Sequence, residues 1–332
     1  MFIFRLAGRT VLVLISVLVF VWGGLAFWYQ LPLGMAGRIG CLLLWAGVAF
    51  SVLWLEVKGR SLRALIVLLP VMAGLFYWWS TITPSLTRIW AEDVAQTVTG
   101  TLNGSQVTLS NVRNFEWRTR EDFTPRWEVR TYDMEELASV DVFLSYWSNP
   151  AIAHTLVSFG FTDGRHVVFS AEIRKERHEE FSEIGGFFKE FELAMIAADE
   201  RDIIRLRTNI RKEDVYRYRI GMKPEMRQAL FLSYIDSANH LAEKASFYNT
   251  LTANCTTVVF DMVRAITPEL PIDYRVVLSG YLPGYLYDLG AIDNSRPLDE
   301  VVKSASVNQR ALNADTAPDF SARIRGGDET GL

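Results

Sequence analysis

Three long uncharged runs constrain this chain more than any other feature. Residues 10–29, 39–55 and 64–87 contain no Asp, Glu, Lys or Arg. A bilayer core needs about 20 apolar residues per helix, with a lower limit near 17. The runs therefore read as three membrane spans, near 10–29, 38–56 and 64–82. Pro70 falls inside the third, where neighbouring helices must compensate its missing hydrogen bond. A signal peptide does not account for the first run, because signal h-regions are about 7–15 residues long and two more spans follow.

Charge divides the chain at the same place. Residues 1–90 hold one acid, Glu56, and seven bases: Arg5, Arg9, Arg38, Lys58, Arg60, Arg63 and Arg88. The chain's 38 acids and 34 bases then leave 37 acids and 27 bases for residues 91–332, a body of charge −10. Nonspecific nucleic-acid binding needs Lys and Arg to neutralise phosphates, so nucleic acid is not the expected partner. Arg5 and Arg9 precede the first span, and Lys58, Arg60 and Arg63 lie between the second and third. Only Arg38 lies between the first and second. By the positive-inside rule the N-terminus and the second loop are cytoplasmic, and three crossings leave the body outside. Phe76, Tyr77, Trp78, Trp79 and Trp90 gather at that exit as an interfacial belt would.

The body reads as α+β. Asn103-Gly104 between apolar runs marks a hairpin. Residues 155–161 and 166–174 alternate as strands do, with Thr162-Asp163-Gly164 between them. Segments 191–198, 202–208 and 214–220 are further expected strands, and residues 224–244 have helical periodicity. A second helix should start at Cys255, with Asn254 as its cap, an apolar stripe of Val259, Met262, Val263 and Ile266, and Pro268 as its stop. Residues 111–135, with Trp117 and Trp127, show no clear period, and residues 313–332 read as a polar, extended tail.

Two cysteines are present, Cys41 in the second span and Cys255 in the body. They cannot form a disulfide within the body. Cys41 suits an apolar filler. A single unpaired thiol in an exported domain points to a thiol kept for its chemistry. At the first turn of a helix, behind an Asn cap, it would be stabilised as a thiolate. Such a nucleophile needs a base. His178 lies in a charged turn and His240 on a helix, both suited to the surface.

Register separates His154 from His166. If Val157, Phe159 and Phe161 share a buried face with Val167, Phe169, Ala171 and Ile173, odd positions must oppose odd positions. A three-residue Thr162-Asp163-Gly164 loop, with Gly164 left-handed, achieves this and pairs 161 with 165. It then sets Glu172 directly across from His154, at a Cβ separation of about 5 Å. Glu172 could orient the imidazole and stabilise its charged form; a plain cross-strand ion pair is the other reading. His166 falls about 20 Å along the strand, at about 3.4 Å per residue. Zinc needs three or four ligands at recognisable spacing. There is no Cys-x-x-Cys or His-Glu-x-x-His, no phosphate loop and no dinucleotide fingerprint, so neither metal nor cofactor is expected.

Several stretches are similar to one family. They are Val-Arg-Asn-Phe-Glu-Trp-Arg (112–118), Ser-Tyr-Trp-Ser-Asn-Pro-Ala-Ile-Ala-His-Thr-Leu-Val-Ser-Phe-Gly-Phe (145–161), Phe-Ser-Ala-Glu-Ile-Arg (169–174), Asp-Glu-Arg-Asp (199–202) and Tyr-Asn-Thr-Leu-Thr-Ala-Asn-Cys-Thr-Thr (248–257). Residues from about 95 to 325 resemble the periplasmic domain of the Lnb-type lipoprotein N-acyltransferases. The resemblance implies a circularly permuted papain-like (NlpC-type) fold with an antiparallel sheet and a Cys-bearing helix. Its Cys–His dyad maps onto Cys255 and His154. In those acyltransferases the spans follow the domain, whereas here three precede it.

The expectation is thus a membrane anchor over residues 1–90, a periplasmic thiol-enzyme domain over 91–312 and a tail over 313–332, placed as a multi-pass protein of a bacterial inner membrane. The resemblance implies a cysteine acyltransferase moving a fatty acyl chain from a phospholipid, through a thioester, to an amine such as a lipoprotein N-terminus. Its partners would be membrane phospholipid and lipoproteins. The alternatives are a cysteine peptidase or peptidoglycan amidase, and a non-catalytic envelope-binding domain. The aromatic run Tyr281-Leu282-Pro283-Gly284-Tyr285-Leu286-Tyr287 suits either a lipid-contacting loop or ordinary packing.

Overall fold

The computed structural model describes residues 2–326. The apolar runs form α1 (Phe2–Gln30), α2 (Met35–Val57) and α3 (Ser61–Thr81). All three are long and apolar enough to cross a membrane. The helices extend past the uncharged runs and take in Arg9, Arg38 and Arg63, because helix formation does not stop where hydrocarbon does. Close approach of α1 to α2 depends on Gly23, where a Cβ would meet the Trp45 ring at 2.5 Å. The Trp45 indole donates to the Phe20 carbonyl at 2.8 Å. Contacts divide the chain into two units: residues 2–85 together with 181–190, and residues 86–180 together with 191–326.

The second unit is α+β. Its strands are β1 (Thr99–Asn103), β2 (Gln106–Arg113), the short β3 (Glu116–Trp117) and β4 (Phe123–Thr124), β5 (Trp127–Asp133), β6 (Leu137–Tyr146), β7 (His154–Phe161), β8 (His166–Arg174), β9 (Glu192–Ala198) and β10 (Asp214–Arg219). Eight of them form one sheet, in the order β1-β2-β9-β8-β7-β6-β10 with β5 also paired to β2. Every ladder in it is antiparallel except β2–β9. The Asn103-Gly104 signal is a hairpin, with Asn103 opposite Gln106 and Gly104 at φ +61°.

The β7–β8 hairpin has the register that parity requires. Val157 faces Phe169, Phe159 faces Val167 and Gly160 faces His166. Phe161 N–H donates to Arg165 O at 3.0 Å, and Gly164 closes the three-residue loop at φ +83°. Both faces of this hairpin are buried, not one. The odd face packs on α5 (Pro224–Glu243), through Phe231 and Tyr234, and on α6 (Thr257–Ile266), through Met262. Phe159, Phe169 and Phe231 meet edge to face at 4.9–5.8 Å. The even face, with Leu156 and Val168, packs on Ile203 and Ile204 of α4 (Glu200–Arg205).

Two expectations need correction. Residues 202–208 are not a strand: they finish α4 and enter a π-helical turn, Leu206–Ile210. Asp199 caps that helix by accepting from Arg201 N–H, and buried Asp202 accepts from the Arg113 guanidinium, Phe115 N–H and the Trp117 indole. Nor is the C-terminal segment extended. After α7 (Tyr274–Val277), α8 (Leu282–Asp288) and α9 (Leu298–Ala305), it forms α10 (Asn308–Ala314) and α11 (Phe320–Arg325). Phe320 and Ile324 join the even-face core. Arg325 is 1% exposed and meets both Glu200 oxygens at 2.7 Å and Asp141 at 2.9 Å. Residues 327–332 of the expected tail lie outside the described residues.

Candidate active site

The site forms where β7 begins. Asn254 organises the approach from the helix side. Its Oδ1 accepts from Thr256 N–H at 2.8 Å and Thr257 N–H at 2.9 Å, and its carbonyl accepts from Val258 N–H. The regular helix starts at Thr257 with Thr256 at its N-cap position, so Cys255 lies in the turn ahead of the helix and not in its first turn as expected; Asn254 holds that turn rather than capping the helix. Thr256 Oγ1 meets Thr155 Oγ1 at 2.7 Å, which ties the turn to β7 on either side of the thiol and the imidazole. Cys255 is 8% exposed, with Sγ 3.8 Å from Thr256 Oγ1 and 4.0 Å from Ala153 O.

His154 is held from behind. Its Nε2 lies 2.7 Å from Ser170 Oγ and 3.1 Å from Glu172 Oε1. Ser170 Oγ donates to that same carboxylate oxygen at 2.7 Å. Since the hydroxyl gives its proton to Glu172, it accepts from Nε2–H, and the network assigns the imidazole proton to Nε2. Nδ1 is then the nitrogen left for the thiol.

The network continues beyond Glu172. Arg207, on the π-helical turn, donates to Glu172 Oε1 at 3.1 Å and to Glu213 Oε2 at 3.2 Å. Ser145, opposite His154 on β6, donates to Glu213. Arg207 and Ser170 were not foreseen from sequence. Ser170 is an unremarkable strand residue, and Arg207 sat in a segment read as the wrong element. A π turn inside a helix often marks a functional position, but it carries no sequence signature here.

The charges favour an ion pair. Burial and Arg207 push the His154 pKa down, but Glu172 and Cys255 outweigh them and raise it to about 9. Burial pushes the Cys255 thiol up, yet the His154 charge, its hydrogen bond, the Thr155 N–H and the Thr256 hydroxyl bring it below its ordinary value. Glu172 is held well below the usual carboxylate range; burial opposes this, and His154, Arg207 and Ser170 overcome it. A thiolate beside an imidazolium is the form such an arrangement stabilises.

The other histidines stand apart from this cluster. His166 Nδ1 donates to Gly164 O at 3.1 Å, at the turn end of the hairpin. His178 and His240 are exposed. No group of three or more His, Cys, Asp or Glu that could hold a metal occurs among the described residues.

A second segment is bonded to the residues just ahead of His154. Ser279 Oγ donates to Ala153 O at 2.6 Å and accepts from Ala153 N–H at 2.9 Å. Gly280 N–H donates to Ala151 O at 2.9 Å, and Tyr146 OH donates to Gly280 O at 2.8 Å. A Cβ at Gly280 would run into the Pro150 carbonyl. Of the aromatic run that follows, Leu282, Pro283 and Tyr285 are buried packing, while Tyr281 is exposed. Tyr274 is exposed beside it, ring centroids 6.5 Å apart, with Val277 and Leu278 between them in the chain.

The family model described as the Lnb N-terminal periplasmic domain matches residues 123–280. Over those residues the chain is similar to an Lnb-type periplasmic domain. The Lnb match spans His154, Ser170, Glu172, Arg207 and Cys255, so the whole network lies inside it. It covers the centre of the stretch from 95 to 325 over which the resemblance was read. No curated protein and no solved structure matches the chain. With three apolar helices ahead of the Lnb domain, the chain is a membrane-anchored protein with a periplasmic domain.

Proposed function

We propose that this protein is a multi-pass inner-membrane thiol acyltransferase acting on phospholipid. The observation that carries the proposal is the Cys255–His154 pair, with the thiol lowered, the imidazole raised and Glu172 behind it. The Cys255 thiolate attacks a phospholipid ester carbonyl. The tetrahedral oxyanion needs a donor, and Cys255's own N–H is the nearest one in its turn, because the next two N–H groups are taken by Asn254. The intermediate collapses to a thioester, and the leaving alkoxide takes the imidazolium proton. An acceptor amine then attacks the thioester. Neutral His154 removes its proton, and the thiolate leaves, restoring the ion pair.

Exposed Tyr274, Val277, Leu278 and Tyr281, in the segment whose Ser279 bonds Ala153 next to His154, are consistent with an acyl rather than a polar substrate. The chain order, a His-bearing strand followed by the Cys-bearing turn, supports the permuted papain-like reading. Loop charges support the orientation: Lys58, Arg60 and Arg63 against Arg38 alone. The acceptor proposed is the N-terminal amine of a lipoprotein.

The test incubates full-length protein with phospholipid vesicles and an amine-terminated lipopeptide. Equimolar lysophospholipid and N-acyl peptide are expected, both lost in Cys255→Ala. Free fatty acid without N-acyl peptide, or peptide release from cell-wall material, would instead make the protein a hydrolase. Full function in a Cys255→Ala strain would leave a binding domain.

A further inference from the structure

Residues 181–190 lie between β8 and β9 in sequence but cluster with the three apolar helices. They form a built turn. Ser182 Oγ accepts from Gly185 N–H at 2.9 Å, and Phe188 N–H donates to Gly185 O at 2.8 Å. Gly185 leaves room for the Glu190 carboxylate, which a Cβ there would push aside.

One side chain of the turn points into the helices. Phe188 stacks on Tyr29 at 5.6 Å and lies 6.2 Å from Trp22 and 6.5 Å from Trp79. Gln30 donates to Phe188 O at 2.8 Å. Lys189 takes a left-handed backbone, φ +57°, and its Nζ donates to Trp79 O and Ile82 O, carbonyls at the end of α3. These contacts fix the turn at the C-terminal ends of α1 and α3, level with the tryptophans that mark a membrane interface.

The remaining large apolar side chains of the turn face outward. Phe181 is 55% exposed, Ile184 53% and Phe187 39%. Phe76 and Tyr77 near the end of α3 are exposed as well. Glu179 and Glu180 just before the turn and Glu183 within it argue against a clamp for anionic headgroups, so apolar contact is the driving force.

We propose that residues 181–187 are a non-spanning membrane anchor, in which Phe181, Ile184 and Phe187 enter the bilayer interface and contact acyl chains. The chain thus returns to the bilayer a fourth time after its three spans. The return lies in the connection between β8, which carries Glu172, and β9. This proposal is independent of the acyl-transfer reading.

The test uses the full chain in phosphatidylcholine vesicles, with Cys41→Ser and Cys255→Ser removing the native thiols. Spin labels go on Phe181→Cys, Ile184→Cys and Phe187→Cys one at a time, with Leu43→Cys as the reference on α2. Power saturation compares oxygen, which partitions into lipid, with a water-soluble nickel chelate. The proposal expects all three turn labels to favour oxygen over the chelate, as the Leu43→Cys label does. Chelate accessibility equal to that of free label in buffer would overturn it. Exclusion of both reagents would also overturn it, by showing that protein covers the turn. Because the background lacks Cys255, neither result depends on catalysis.

Discussion

Replacing Glu172 by Gln should weaken the thiolate without moving it. The substitution keeps an acceptor for His154 Nε2–H and Ser170 but removes a charge 3.1 Å from the imidazole. At that distance two unit charges interact by about 5 kcal/mol with an effective dielectric near 20. Arg207 shares the same oxygen at 3.1 Å and takes part of the carboxylate's field, so the loss at His154 is smaller than this ceiling. An opposite charge this close is worth about 1–3 pH units. His154, now at about 9, should fall by that amount, and the thiol should rise as its imidazolium partner is lost. The sign is fixed: a raised His pKa means that the protonated imidazole is the stabilised form, and removing its anion destabilises that form. The assay is the pH dependence of Cys255 alkylation by iodoacetamide in a Cys41→Ser background. Wild type should show a midpoint below about 8.5, the value for a free thiol, and Glu172→Gln should move it upward, with His154→Gln moving it further. A wild-type midpoint at or above the free-thiol value, or one that Glu172→Gln leaves in place, would refute the reasoning.

Other perturbations test the frame around the site. Gly280→Ala should displace the segment bonded just ahead of His154 by forcing a Cβ into the Pro150 carbonyl; a loss of about 1–3 kcal/mol is expected from overpacking, read by urea unfolding, together with reduced activity. Arg325→Met should cost about 3–5 kcal/mol by leaving Glu200 without its buried partner. Burial pushes the Glu200 carboxyl up, but Arg325 holds it far below its ordinary range. A depressed carboxylate contributes stability above its unfolded value, about 4.3, which is lost as pH falls toward the folded value. Wild type should therefore lose stability below about pH 4, a slope that Arg325→Met should flatten. Reporter fusions after residue 60 and after residue 90 should report opposite sides of the membrane, the second outside the cytoplasm.

The parts of the site legible in the sequence were those set by local rules. Parity of apolar residues and the left-handed demand at Gly164 were enough to fix the β7–β8 register, and with it the approach of Glu172 to His154. Asn254 before the thiol announced an ordered turn, although the helix itself begins only at Thr257. What stayed hidden depends on partners distant in sequence. Asp202 is buried because Arg113, Phe115 and Trp117 converge on it, and no alternation pattern in 202–208 reveals that. The misread element carried Arg207 with it, so the charge behind Glu172 could not be placed. Arg325 looked like tail polarity because Glu200 and Asp141 lie more than a hundred residues earlier. Burial of a charge depends on finding its counter-charge, which composition does not show.

The central claim is a thioester on Cys255, and mass spectrometry of the intact protein after exposure to phospholipid tests it most directly. The account predicts a hydroxylamine-labile adduct of fatty-acyl mass on Cys255 in wild type. It should vanish in Cys255→Ala and drop sharply in His154→Ala, because members of such a unit do not act additively. A wild-type protein that is folded, in contact with lipid and free of any acyl adduct under hydroxylamine-free trapping would contradict it.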